Sequence, residues 1–87
     1  MITWDELVRL AGCSHDELNR FVAEGWIAQE AEDGFVETDL ARVQLILELR
    51  RDLAIDDEAM PLVLSLLDQV YTLRRQLRRV CTLIDQD

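Results

Sequence analysis

The sequence contains no lysine: all nine of its basic residues are arginine, set against eighteen acidic ones. The formal net charge is −9 and the isoelectric point lies near 4.4. A phosphate backbone repels such a chain, and a basic protein surface attracts it. Histidine is almost as scarce, with His15 alone. There is no glycine-rich phosphate loop and no nucleophile beside a base, so catalysis has no foothold and an enzyme is not expected. Paired carboxylates do occur, but eighteen in 87 residues make chance pairs inevitable. The two cysteines, Cys13 and Cys81, have no C-x-x-C spacing. With His15 they make too scattered a donor set for a metal, and no cofactor is implied. Long apolar runs are missing too. The longest, AMPLVLSLL, contains Pro61 and Ser65 and is closed by Asp68, too short to span a bilayer. The opening MITWDELV brings carboxylates early and lacks the basic and apolar regions of a secretory signal, so a reducing cytoplasm is the expected location.

What is present is a well-punctuated helical chain. Its 87 residues, 49% of them hydrophobic, suit one domain over 1–87 with a real core. The single proline and three glycines sit at the edges of elements. Thr3-Trp4-Asp5-Glu6 fits a capping box, in which a hydroxyl and a carboxylate three residues on satisfy orphan backbone donors. The helix it opens stops at Gly12. Ser14-His15-Asp16-Glu17 repeats the box and Gly25 repeats the stop, which predicts a helix-turn-helix over 3–25. Trp4 and Trp26 flank these helices as packing residues, and His15 falls on an exposed turn.

Between 26 and 37, Asp33-Gly34 lies between Trp26-Ile27-Ala28 and Phe35-Val36, a hairpin signal that predicts a small β wing. Thr38 is placed to cap a third helix over 38–53, with Leu40, Val43, Ile46, Leu47 and Leu53 on its apolar face. Asp56 or Asp57 can cap a long last helix over 57–85, with Pro61 tolerated in its first turn. The first half of that helix carries two apolar stripes: Met60, Leu64, Leu67 and Tyr71, and beside them Val63, Leu66 and Val70. These are expected to pack within the domain. The second stripe continues alone through Leu73, Leu77, Val80 and Ile84 with alternating three- and four-residue steps, a coiled-coil seam. Little of the chain remains to cover it, so the expectation is a homodimer through Leu73, Leu77, Val80 and Ile84. Arg74, Arg75, Arg78 and Arg79 fall away from the seam as a solvated face.

Charge is distributed unevenly. Residues 1–40 hold ten carboxylates against Arg9 and Arg20, whereas 71–87 hold four arginines against Asp85 and Asp87. In a DNA-reading helix-turn-helix, the second helix and the wing offer Arg, Lys, Asn or Gln to bases and phosphates. Here that helix offers Asp16, Glu17 and Glu24, with only Asn19 and Arg20 as plausible contacts, and the wing offers Glu30, Glu32, Asp33 and Glu37. The groove-facing elements are charged against the groove, and direct nucleic-acid contact is not expected.

The order helix-turn-helix, wing, third helix, break and long seam helix resembles the MerR-like architecture, a mainly α fold. Within it the chain is most similar to the CbpM family of chaperone modulators. The likeness rests on Leu49-Arg50, Leu53, Ile55-Asp56, the run Leu64, Leu66, Leu67, Asp68, and Leu73 with Leu77. It covers about Thr3 to Val80, and no single motif within it is specific. The resemblance implies a protein that binds the J-domain of a DnaJ-like co-chaperone of the CbpA type. Such a protein inhibits its partner's stimulation of Hsp70 and its DNA binding, and the location follows the partner between cytoplasm and nucleoid. Two acidic clusters are candidates for that interface. One is Asp52, Asp56, Asp57 and Glu58 with Asp68; the other is Asp16, Glu17, Glu24, Glu30 and Glu32. Carboxylates around 56–58 also suit a helix start for structural reasons, so only their excess over one cap points to a partner. The alternatives are a MerR-type DNA-binding transcription regulator and a MerR-like adaptor for another protein.

Overall fold

A computed structural model describes residues 1–28 and 34–85. The chain divides into two compact units, Met1–Asp56 and Asp57–Asp87.

The first unit opens with α1 (Trp4–Ala11) and α2 (His15–Ala23), joined by the three residues Gly12, Cys13 and Ser14. Their boundaries follow from local chemistry. The Glu6 N–H donates to Thr3 Oγ1 at 3.2 Å, although the Glu6 carboxylate accepts from the Thr3 hydroxyl and not from the Thr3 N–H, which leaves the box half formed. At Ser14 the box is complete: Glu17 N–H donates to Ser14 Oγ at 3.1 Å and Ser14 N–H to Glu17 Oε1 at 3.2 Å. Gly12 ends α1 at φ 74°. After α2, Gly25 at φ 76° lets its N–H reach Val22 O at 3.1 Å and the Trp26 N–H reach Phe21 O at 3.0 Å. That reversal, which glycine makes without steric cost, lays Trp26 on Phe21 with ring centroids 5.7 Å apart.

The third helix, α3, runs Glu37–Arg51 and supplies Val43, Ile46, Leu47 and Leu49 to the core. It begins one residue before the expected Thr38 cap. Val36 occupies the N-cap position, and its N–H donates to Asp39 Oδ2 at 2.9 Å. The acidic residue three positions on fixes the start without a capping hydroxyl. The helix ends at Asp52, so Leu53 lies beyond it and is 65% exposed instead of lining the apolar face. Leu7, Leu18, Phe21, Trp26, Ile27 and Phe35 complete the core of this unit. Arg42 ties α3 to the segment after α2, its Nε donating to Trp26 O at 3.2 Å.

The expected hairpin wing is not supported. Residues 29–33, which hold Glu30, Glu32 and the Asp33 turn residue, lie outside the described part. Among the described residues the β pairing is a single antiparallel bridge between Ile2 and Phe35. The Phe35 N–H donates to Ile2 O at 2.7 Å and the Ile2 N–H to Phe35 O at 2.8 Å. Both backbone groups of Phe35 are therefore satisfied by the N-terminal segment, and none is left for Trp26 or Ile27. Gly34 serves this bridge: a Cβ there would lie 2.5 Å from Ile2 O.

The second unit is dominated by α4 (Met60–Asp85), about 39 Å long at 1.5 Å per residue. Residues 57–59 form a turn, and the Val63 N–H closes the first helical turn on Ala59 O at 3.1 Å, so the helix starts later than Asp57. Met60 and Leu64 are buried and Val63 and Leu67 half-buried. Leu66, Val70 and Tyr71, expected to be covered, are instead 51%, 40% and 47% exposed. No helix among the described residues is long and apolar enough to cross a membrane.

Candidate functional site

The turn of the helix-turn-helix is fixed by one carboxylate. Glu17 stands in the first turn of α2, where its own charge suits the positive end of the helix. Arg50 and Arg51 stand in the last turn of α3, where cations suit the negative end. Arg51 Nη2 donates to Glu17 Oε1 at 3.2 Å and Oε2 at 3.4 Å, and Arg51 Nη1 to Gly12 O at 3.2 Å. Arg50 Nη1 lies 3.8 Å from Glu17 Oε2, with its guanidinium 5.5 Å above the Phe21 ring. This clamp joins the turn, α2 and α3.

The clamp divides the second acidic cluster. Glu17, expected at a partner surface, is only 29% exposed and is held by two arginines of its own chain. Asp16 and Glu24 remain exposed on α2 and at its end, along with Asn19 and Arg20. Glu30 and Glu32 lie outside the described residues. In the first cluster, Asp52 caps the C-terminus of α3 and Asp56 closes the first unit. Asp57 and Glu58 occupy the turn before α4, and Asp68 its third turn, all in the second unit. The segment between helices is strained: Ala54 takes φ 53°, a left-handed conformation unusual for a side chain with a Cβ.

The seam residues Leu73, Leu77, Val80 and Ile84 are 63%, 63%, 51% and 65% exposed. His15 is exposed and its Nε2 lies 3.4 Å from Asp5 Oδ1. Burial, and then the Glu17 carboxylate, push the Cys13 thiol upward in pKa, Arg51 opposing, so Cys13 is a poor thiolate. Among the described residues no group of three His, Cys, Asp or Glu side chains could hold a metal.

One feature escaped sequence reasoning. Met1, Ile2, Leu10, Val36 and Leu40 line an open groove of about 630 Å³ whose floor includes Phe35. Its only signal was that Leu10 and Val36 are apolar residues in excess of the core-facing pattern.

Two capped helices on a three-residue turn, braced by a third, define a helix-turn-helix protein. The family model for MerR HTH family regulatory proteins matches residues 2–81, and the chain belongs to that family. No curated protein and no solved structure shows significant similarity to it.

Proposed function

We propose that this protein is a non-catalytic interaction regulator. It binds the basic face of the J-domain of a DnaJ-like co-chaperone and blocks the partner's stimulation of Hsp70 and its DNA binding. The observation that carries the reading is the surface of α2. Where a DNA-reading member of such a family offers cations, α2 and its end expose Asp16 and Glu24 beside one arginine, Arg20, and the nearby Arg50 and Arg51 pair with Glu17. Each exposed carboxylate opposes a phosphate where a DNA binder gains counterion release. The same charge attracts a cationic protein over several ångströms and raises its rate of encounter.

The mechanism is occlusion: acidic surface covers the face on which Hsp70 docks. The steering charges are Asp52, Asp56, Asp57, Glu58 and Asp68, with Asp16 and Glu24 as a second group. The active form is a homodimer closed through Leu73, Leu77, Val80 and Ile84. The reading is supported by a seam that is more than half exposed in one chain at a spacing suited to a second helix. Adding the protein to Hsp70 and its J-domain partner should suppress the stimulated ATPase. Reversing Asp56 and Asp57 to lysine together should weaken suppression and flatten its salt dependence. Full ATPase stimulation in the presence of excess wild-type protein would reject the reading.

Family membership favours a second reading, a MerR-type DNA-binding regulator, with an adaptor for another protein as its variant. A low-salt mobility shift with the protein alone separates these from the first.

A further inference from the structure

We propose that the groove between the end of α1 and the start of α3 seats the apolar stripe of a basic amphipathic helix. This rests on the reading of the chain as a J-domain binder, and it assigns the surface that gives the complex its lifetime.

The groove is unusual for so charged a chain. Leu10 is 52% exposed, Val36 48% and Met1 78%, and they converge with Ile2 and Leu40 over a common hollow. Large apolar side chains scattered singly over a surface need no explanation; a converging set marks a contact site. The hollow is also preformed. Its floor residue Phe35 is fully buried, held by both hydrogen bonds of the bridge to Ile2, and packed 5.6 Å from the Trp4 ring. Val36, on the wall, is fixed by the Asp39 carboxylate. A rigid receptor loses little conformational freedom on binding.

Charge selects the occupant. Glu37 lines the groove, and Glu6 stands one turn before Leu10 on the α1 wall. The first forty residues hold ten carboxylates against Arg9 and Arg20. An apolar trough with Glu37 at its lip suits a helix whose apolar positions recur every three or four residues and whose flanks carry Lys or Arg. An acidic peptide or a polyanion meets repulsion there. Division of labour follows: carboxylates that do not line the groove, such as Asp56 and Asp57, set the association rate, and the groove sets the dissociation rate.

The test uses the full chain and an isolated J-domain in a kinetic binding assay. The double variant Leu10→Gln, Val36→Gln changes two exposed positions, and its thermal midpoint is checked against wild type. Dissociation should accelerate by about tenfold or more with association nearly unchanged. Asp56→Lys with Asp57→Lys should slow association instead. A groove variant that releases the J-domain as slowly as wild type overturns this inference and leaves the proposed function standing. Wild-type protein that does not bind the J-domain overturns both. A variant that loses only self-association places a second copy in the groove and also overturns it. Should the variant fold poorly, amide shift mapping of the wild-type complex decides. Perturbations centred on Ile2, Leu10, Val36 and Leu40 support the groove, and perturbations elsewhere exclude it.

Discussion

Glu17 offers the sharpest test of how this helix-turn-helix is held. Its carboxylate makes one capping bond, to Ser14 N–H at 3.2 Å, and two ion pairs, to Arg51 at 3.2 Å and Arg50 at 3.8 Å. The complete capping box contributes about 1 kcal/mol. Arg51 is half exposed, which discounts its pair, and both pairs together contribute about 1 kcal/mol after screening. Glu17→Gln keeps the acceptor for Ser14 and removes the charge, so it should cost about 1 kcal/mol. Glu17→Ala also removes the acceptor for Ser14 N–H but keeps the backbone bond to Ser14 Oγ, so it should cost about 1.5 kcal/mol, a fall in the thermal midpoint of about 8 °C for a chain of this size. Urea and thermal unfolding followed by circular dichroism measure these values. In about 1 M salt the gap between wild type and Glu17→Gln should shrink, while the capping contribution persists. Glu24→Gln, at an exposed position, should stay within about 0.5 kcal/mol of wild type. If Glu17→Ala unfolds like wild type, or Glu24→Gln costs as much, the clamp does not organise the turn.

Three further outcomes follow from the geometry. Gly34→Ala places a methyl group 2.5 Å from Ile2 O, so the bridge to Phe35 should open at a cost of about 2 kcal/mol or more, read by urea unfolding. Ala54→Gly relieves a left-handed backbone at φ 53° and should stabilise the protein by about 0.5 kcal/mol net of the added chain entropy. Leu77→Glu puts a charge in the proposed seam, where the side chain is 63% exposed in one chain. Sedimentation equilibrium should then report a monomer where wild type reports a concentration-dependent dimer, and a monomeric wild type would refute the seam.

The parts of the fold that could be read in the sequence are those decided within a few residues. Thr3 with Glu6 and Ser14 with Glu17 announce two helix starts, and Gly12 and Gly25 announce the stops, because each device closes over three to five positions. The parts that could not be read depend on distant partners. Phe35 looked like one strand of a hairpin because Asp33-Gly34 precedes it, yet its backbone bonds go to Ile2 at the other end of the unit. Glu17 looked like a free surface acid because Arg50 and Arg51 lie more than thirty positions away in the chain. The α3 start was displaced because an acid at Asp39 can fix a helix behind a residue such as Val36 that has no capping side chain. Leu53 fitted the helical period, but the chain turns at Ala54 before that period can be used. The three- and four-residue steps of Leu73, Leu77, Val80 and Ile84 are plain in the sequence, and α4 leaves all four exposed, but a period by itself names no partner.

The proposed function requires a MerR-family helix-turn-helix that takes a cationic protein in place of DNA. The most direct measurement titrates the same wild-type protein with labelled duplex DNA and with a J-domain, at about 50 mM and about 200 mM salt. The account predicts no retention of DNA at either concentration, and J-domain binding that weakens as salt rises. Retention of duplex DNA by the protein alone at the lower salt, with no affinity for the J-domain, would contradict it.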